Sequence, residues 1–595
     1  MKIGAWVTAA LGATLVIGSL KFGAVYSASG VGFFPMELAE WVIGSWPAFY
    51  FPVAAAALLG FVLLSAPRAV ALDRQALPFL APIALVFVAG LVGLINSTEQ
   101  DAARQFCLQM LGLANFATAV YLHCQHRPEA RKALLACVGI GTAIVMIPAW
   151  HQMSGGFQES QDSMLEMAQI YGWELPREML IRLKDRRVYG SFTYPNSFAA
   201  HALLTVPIVA AMMWVAGRRV DPPRISQPLL LVVALVIGGR ALVESGSRGA
   251  AVGLFAALGL LGVASLWWHR ERLGAWRGRI VTIAVLMLVL LVVGIEQMKG
   301  GRGFRSATAR FDYYAAALKL TAEYPFLGAG VGEFYPNYMR LKPAGAEETR
   351  IPHNLFLNLL CQAGIVGGLA AIIFLGAPLW LAWLWGRGRL RAADPIIAAT
   401  ALTAAMAWSM HSLFDFNIKT PITVALFCVI PILVLSPGDA RAPQRPMRWQ
   451  LVLLALSVVI GLLGIRRAAG EREYQLIYNQ ASGMSIDTRP MSLNEARSRV
   501  ERAAQTMPHS PYPWEKLGAM AAARRDQATA EFAFSRALEL CPHRAAFHSN
   551  MAQLALANGN LEGALEAIAE ALRWYPYESR YRALQTVAQR LAARK

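Results

Sequence analysis

The chain is punctuated by long apolar runs with almost no charge, among them 4–20, 48–66, 77–95, 133–150, 197–216, 280–295 and 421–436. A run of about 17–25 such residues matches the hydrocarbon thickness of a bilayer. The rest of the composition agrees: of 595 residues, 56% are hydrophobic and only 15% charged. A soluble chain of this length would be several domains with polar surfaces. The expected fold is all-α, a polytopic membrane bundle of about thirteen transmembrane helices.

The net charge of +18 raises the question of nucleic acid. The positive residues instead fall in short loops between apolar runs, as the positive-inside rule requires, so no nucleic-acid partner is expected. With the N-terminus in the cytoplasm and the spans alternating, six loops fall inside: "APRAVALDR", "HCQHRPEARK", "GRRVDPPR", "HRERLGAWRGR", "GRGRLRAADP" and "GDARAPQRPMR". Each carries two to four Lys or Arg, against one in the outer loop "NSTEQDAAR". Arg466-Arg467, after the last span, is the exception. The first run has no convincing cleavage site and reads as an uncleaved helix. The outer side then receives the loop from His151 to about Tyr194, the loop from about Gln297 to Pro352, and the tail from about Arg466. Loops this long tend to carry function. The six cysteines lie in or beside apolar runs, apart from Cys541 in the tail, and give no disulfide framework.

The tail changes character and becomes helical, with a 34-residue period. Pro508, Pro542 and Pro576 are 34 apart, as are Ala496, Ala530 and Ala564, and Ala503, Ala537 and Ala571. Small residues at packing positions and Pro at the unit end resemble the tetratricopeptide repeat. The expected organisation is a membrane unit at 1–465, a linker at 466–490 and a soluble α-solenoid at 491–595. The solenoid would bind a partner or an acceptor, or alternatively cap the membrane unit.

Polar residues at span ends are the candidates for chemistry. Arg187 precedes "YGSFTYPNSFAAH", which holds Asn196 and His201. Arg248 lies in "ESGSRGAAVG", Arg310 in "ATARFDYYAAA", and His353 and Asn354 in "RIPHNLFLNLLCQAGIVGG". His411 and Asp415 lie in "SMHSLFDFN". A lone Arg at a helix end usually snorkels to the headgroups, and a lone His there is usually a cap. Several Arg and a His from independent segments on one face instead suit an anionic substrate at the membrane surface. Neither an Asp-x-Asp pair nor a His/Cys metal cluster stands out on the outer side. A diphosphate could then be neutralised by Arg alone, and His353 could accept a proton from an incoming hydroxyl. "LGAGVG" lacks a strand-to-helix context and reads as a flexible turn. Pro352 suits the residue before a helix, which would set His353 and Asn354 in its first turn. Gly364, Gly367 and Gly368 would allow a bend.

These motifs in order resemble the O-antigen ligase family, which shares a domain with O-antigen polymerases and bacterial protein O-oligosaccharyltransferases. "PHNLFLNLLCQAGIVGGL", "SGSRGA", "RVYGSFTYPNSFAAHALL" and "ARFDYYAAALKLTAEYPFLGAGVGEF" carry the resemblance, over roughly 70–435. It implies a GT-C-like fold in the bacterial inner membrane, with its site on the periplasmic side. It implies transfer of an undecaprenyl-diphosphate-linked glycan to lipid A-core, a growing polysaccharide or a protein, with no cofactor and no metal. Carried over, His353 is the base, and Arg248, Arg310 and Arg187 bind the donor diphosphate. Asn354, Asn196 and His411 support them. "FDYY" after Arg310 departs from the family, as do the tail and the extra span. A transporter or flippase for the same lipid-linked glycan is the alternative from another class, and a tethered scaffold a third.

Overall fold

A computed structural model of the chain describes residues 2–23, 35, 38–65, 74–171, 186–220, 222–268, 302–415, 417–437, 449–481 and 490–594. The predicted run 280–295, the basic loops at 66–73, 269–279 and 438–448, and residues 172–185 lie outside them.

Among the described residues the chain is all-α apart from one short strand pair. The first part holds α1 (Lys2–Lys21), α2 (Leu38–Ile43), α3 (Tyr50–Ser65), α4 (Leu77–Ile95), α5 (Gln100–His126), α6 (Ala130–His151) and α7 (Phe157–Tyr171). Then come α8 (Pro195–Gly217), α9 (Pro223–Glu244), α10 (Arg248–Trp268), α11 (Arg302–Glu323) and α12 (Phe334–Leu341). The bundle closes with α13 (Leu355–Gly386), β1 (Leu390–Ala392), α14 (Pro395–His411), α15 (Pro421–Val434), β2 (Leu435–Pro437) and α16 (Trp449–Ala481). Among the described residues, eight helices are long and apolar enough to cross a membrane, and three shorter apolar helices accompany them. This is a multi-pass membrane architecture.

Contacts sort the helix ends into two sets. At one end the Trp46 amide donates to Lys21 O, Val188 N to Glu244 O and Leu355 N to Ser412 O. Gln152 donates to Gly190 O at 3.0 Å and Asn96 to Gly328 O at 2.9 Å. At the other end Thr8 meets His123 at 2.8 Å, Arg131 reaches Ile432 O and Leu435 O, and β1 pairs antiparallel with β2. Helix α15 is the central post, buried along its whole length. Its sequence is apolar on every side, as a helix without a wet face must be. Its own Phe427 interlocks with Trp408 of α14 and Phe374 of α13.

Helix α13 has 32 residues, about 48 Å at 1.5 Å per residue. It breaks at Ala363–Gly364, where Gly364 adopts φ 61° and ψ −152°. The break exposes carbonyls, and the turn 328–332 fills it. Ala329 N donates to Cys361 O, Gly330 N to Gln362 O and Val331 N to Gly93 O. Gly332 N donates to the Gln362 side chain at 2.6 Å. A Cβ on Gly364 would lie 2.2 Å from Phe326 O, and one on Gly328 2.3 Å from Ala363 N. "LGAGVG" is therefore an ordered wedge between α4 and α13. The expectation of a flexible turn is corrected, because its glycines serve close backbone approach and positive φ.

The tail continues with α17 (Leu493–Thr506), α18 (Tyr512–Ala523), α19 (Gln527–Leu540), α20 (Ala545–Ala557), α21 (Leu561–Trp574) and α22 (Ser579–Ala592). The 34-residue period has a physical basis. Ser492, Asp526 and Asn560 each cap a helix by accepting the amide three residues on. Ala496, Ala530 and Ala564 are wholly buried one turn later, where only a small residue lets the helices close up. Residue 465, the expected end of the membrane unit, lies inside α16. The far end of α16 packs on α17, and Tyr474 and Ile477 share one apolar cluster with Val500, Met507 and Trp514.

Candidate functional site

The connected end of the bundle gathers the predicted site residues. Asn354 is the N-cap of α13, its side chain accepting Leu357 N at 3.0 Å. His353 stands one residue earlier with φ 51°. This corrects the expectation that both lie in the first turn. Pro352 biases its predecessor toward extended backbone, and His353 turns the chain into α13 with a left-handed backbone.

His353 Nδ1 lies 3.4 Å from Asp415 Oδ1, with the His side chain 26% exposed and the Asp 3%. The Tyr313 ring flanks it at 5.8 Å. Asp415 reaches this point because α14 ends at His411 and the turn after it is tied to α13 through Leu355 N and Ser412 O. Burial holds the Tyr313 and Tyr314 phenols above their ordinary pKa, so both stay protonated. Tyr314 donates to Leu413 O at 3.3 Å. Arg310, half-buried one turn before them on α11, is in electrostatic reach of Tyr313, Tyr314 and His411.

A second group adjoins this one. Arg187 donates from Nη2 to Asn196 Oδ1 at 2.7 Å and from Nε to Ser245 O at 2.8 Å. It therefore braces the start of α8 against the turn that leads into α10. Arg248 is the first residue of α10. Its neighbour Gly249 lies so close to His411 that a Cβ there would come within 2.8 Å of Nδ1. His411 has no exposed surface, so it packs behind the site. Arg240 is exposed and lies over the Trp150 ring at 5.5 Å.

A small, open hollow lies beside His353, lined by Asn354, Asn358 and Lys419 with Leu355 and Ile418 on its apolar side. Burial, and Arg350 after it, pull the Lys419 ammonium down to about 8, against the influence of Glu99. Among the described residues, no group of three or more His, Cys, Asp or Glu side chains is placed to hold a metal ion.

Residues 231–372 match the family model described as O-antigen ligase. That stretch takes in Arg248, Arg310, His353 and Asn354. Over this segment the chain is similar to the O-antigen ligase family. A curated relative, an O-antigen ligase of Pseudomonas aeruginosa, is 27% identical over 293 residues, which is 49% of this chain. The match spans 57% of that relative's own length. Arg187, Asn196, His411 and Asp415 lie outside the matched segment and join it only through the fold. Lys419 escaped sequence reasoning altogether: in "FNIKTP" it is an ordinary loop lysine until the turn after α14 is folded onto α13. Asp415 stood in a quoted stretch, but nothing in the sequence pairs it with a histidine 62 residues earlier.

Proposed function

We propose that this chain is a membrane glycosyltransferase of the ligase or polymerase type. It transfers a glycan from an undecaprenyl-diphosphate donor to an acceptor hydroxyl. The reaction takes place at the periplasmic face of the inner membrane, without a metal. The observation that carries the proposal is His353 set against buried Asp415, at the point where the Arg310 and Arg248 segments converge.

Asp415 on Nδ1 favours the tautomer that leaves Nε2 as the base. The acceptor O–H gives its proton to Nε2, and the oxygen attacks the anomeric carbon. The bond from that carbon to the diphosphate breaks, and undecaprenyl diphosphate leaves with the electron pair. Arg248 and Arg310 neutralise the leaving group, and the N-terminal end of α13 adds partial positive charge. Arg187 braces the Arg248 turn, with Asn196 and Asn354 holding the two helix starts. Asp415 then stabilises the imidazolium. Loop charge supports placing this end outside the cytoplasm: the basic loops "GRGRLRAADP" and "HCQHRPEARK" lie at the opposite end of the bundle. The tail fits a tetratricopeptide-type solenoid on the periplasmic side.

The test is transfer by purified protein from a lipid-diphosphate oligosaccharide, with lipid A-core, free glycan and a pilin-like protein offered in turn. The acceptor used decides between ligase, polymerase and protein oligosaccharyltransferase. His353→Ala is expected to lower kcat by ~10²–10⁴, Asp415→Asn by less, and Arg248→Ala to raise the donor KM. Full activity in His353→Ala would remove the proposed base.

A further inference from the structure

Two carboxylates at the site end of the bundle are almost wholly buried. Glu99, just before α5, has a side chain 9% exposed, and Glu333, just before α12, 2%. Such groups are costly unless each lone pair finds a partner. Glu333 Oε1 accepts from Thr98 N at 2.7 Å, Thr98 Oγ1 at 2.6 Å and Glu99 N at 3.0 Å, which ties the α4–α5 turn to the start of α12.

Further partners come from one turn of the tail. His543 Nδ1 lies 2.9 Å from Glu333 Oε2, and Arg544 Nη1 donates to Glu99 Oε1 at 2.8 Å. Arg544 is boxed in further by the Tyr512 hydroxyl at 3.1 Å and the Tyr335 ring at 5.0 Å. Cys541, expected to stand alone in the tail, points its thiol at Glu99 from the same turn.

The tail grips the far end of the same segment. The Tyr575 hydroxyl donates to Glu348, and Lys342 lies over the Tyr575 ring at 5.2 Å. Ala571, Tyr575 and Tyr581 share one apolar cluster with Tyr338 and with Tyr313, the ring that flanks His353. The chain from Glu333 to Glu348 is therefore anchored by the tail at both ends, and His353 follows five residues later. His353 holds a left-handed backbone, which persists only where its surroundings fix it.

We propose that Arg544 and His543 of the tail are positioning residues for His353, acting through the segment 333–354. The proposal rests on His353 as the base, so its test carries a readout that does not need transfer. In the full-length reconstituted protein, Arg544→Met is expected to lower kcat at least ten-fold while the donor KM moves less than two-fold. Hydrogen exchange should speed up in peptides covering 342–354 and stay unchanged in those covering 366–384. Arg544→Lys, and the pair Glu99→Gln with Arg544→Met, should each recover part of both effects. Should Arg544→Met fail to fold, His543→Ala and Tyr575→Phe are expected to give the same pattern more weakly. Unchanged exchange over 342–354 in these variants overturns the proposal. So does a kcat loss that neither recovery variant relieves. If His353→Ala keeps full transfer while exchange responds as expected, the base assignment fails and the tail's hold on the segment stands.

Discussion

Lys419 shows what folding adds to a single residue. Its ammonium is pulled down from 10.5 to about 8. The folded state thus prefers the neutral amine more than the unfolded chain does. Its contribution to stability is complete above the unfolded value and is lost as pH falls through about 8. Labelling with an amine-selective reagent, read by mass spectrometry, should therefore rise with pH to a midpoint near 8, well below that of the exposed lysines. A midpoint near 10.5 would show that the side chain is fully solvated. His353 and Asn354 were legible because a charged, proline-led entry before an apolar run is unusual. The left-handed backbone of His353 and its carboxylate partner were not, because each depends on a turn brought in from another helix. Lys419 carries no local signal at all, since a lysine between two spans is what any loop would hold.

At the scale of elements, the broken helix α13 is the most informative piece. Apolar length announced a span here, and the glycines announced a possible bend. The sequence could not show that the bend would be stoppered by another stretch of backbone. Amide-to-carbonyl pairing across the break leaves no trace in residue type beyond small size at both places. Gly364 combines positive φ with a neighbouring carbonyl at 2.2 Å from a would-be Cβ. Gly364→Ala is thus expected to cost roughly 2–4 kcal/mol, from backbone strain and displacement of the wedge together. Thermal unfolding in detergent checks this against Gly376→Ala, where an added Cβ meets nothing within 4 Å and little change is expected. The tail helices were the most legible elements, since their cap residues and buried alanines recur at one spacing.

In the whole molecule, the two parts that composition separates are joined by one helix. Arg466 and Arg467, out of place in the loop-charge pattern, have structural employment. Arg467 pairs with Asp101 and Glu471, and Arg466 reaches Gln505 O. Composition changes sharply where α16 leaves the apolar run, but its backbone does not notice. A continuous α-helix is stiff to twist, so α16 acts as a keyed shaft between span and tail. One extra residue turns everything beyond it by about 100° and lifts it by about 1.5 Å. A single alanine inserted after Ala468 should leave the span and the tail each intact, yet swing the 541–544 turn away from Glu99 and Glu333. The expected result is loss of transfer with the helical content of the protein preserved, measured by the transfer assay alongside circular dichroism. The angular setting of the tail is in this sense written into the number of residues in one helix.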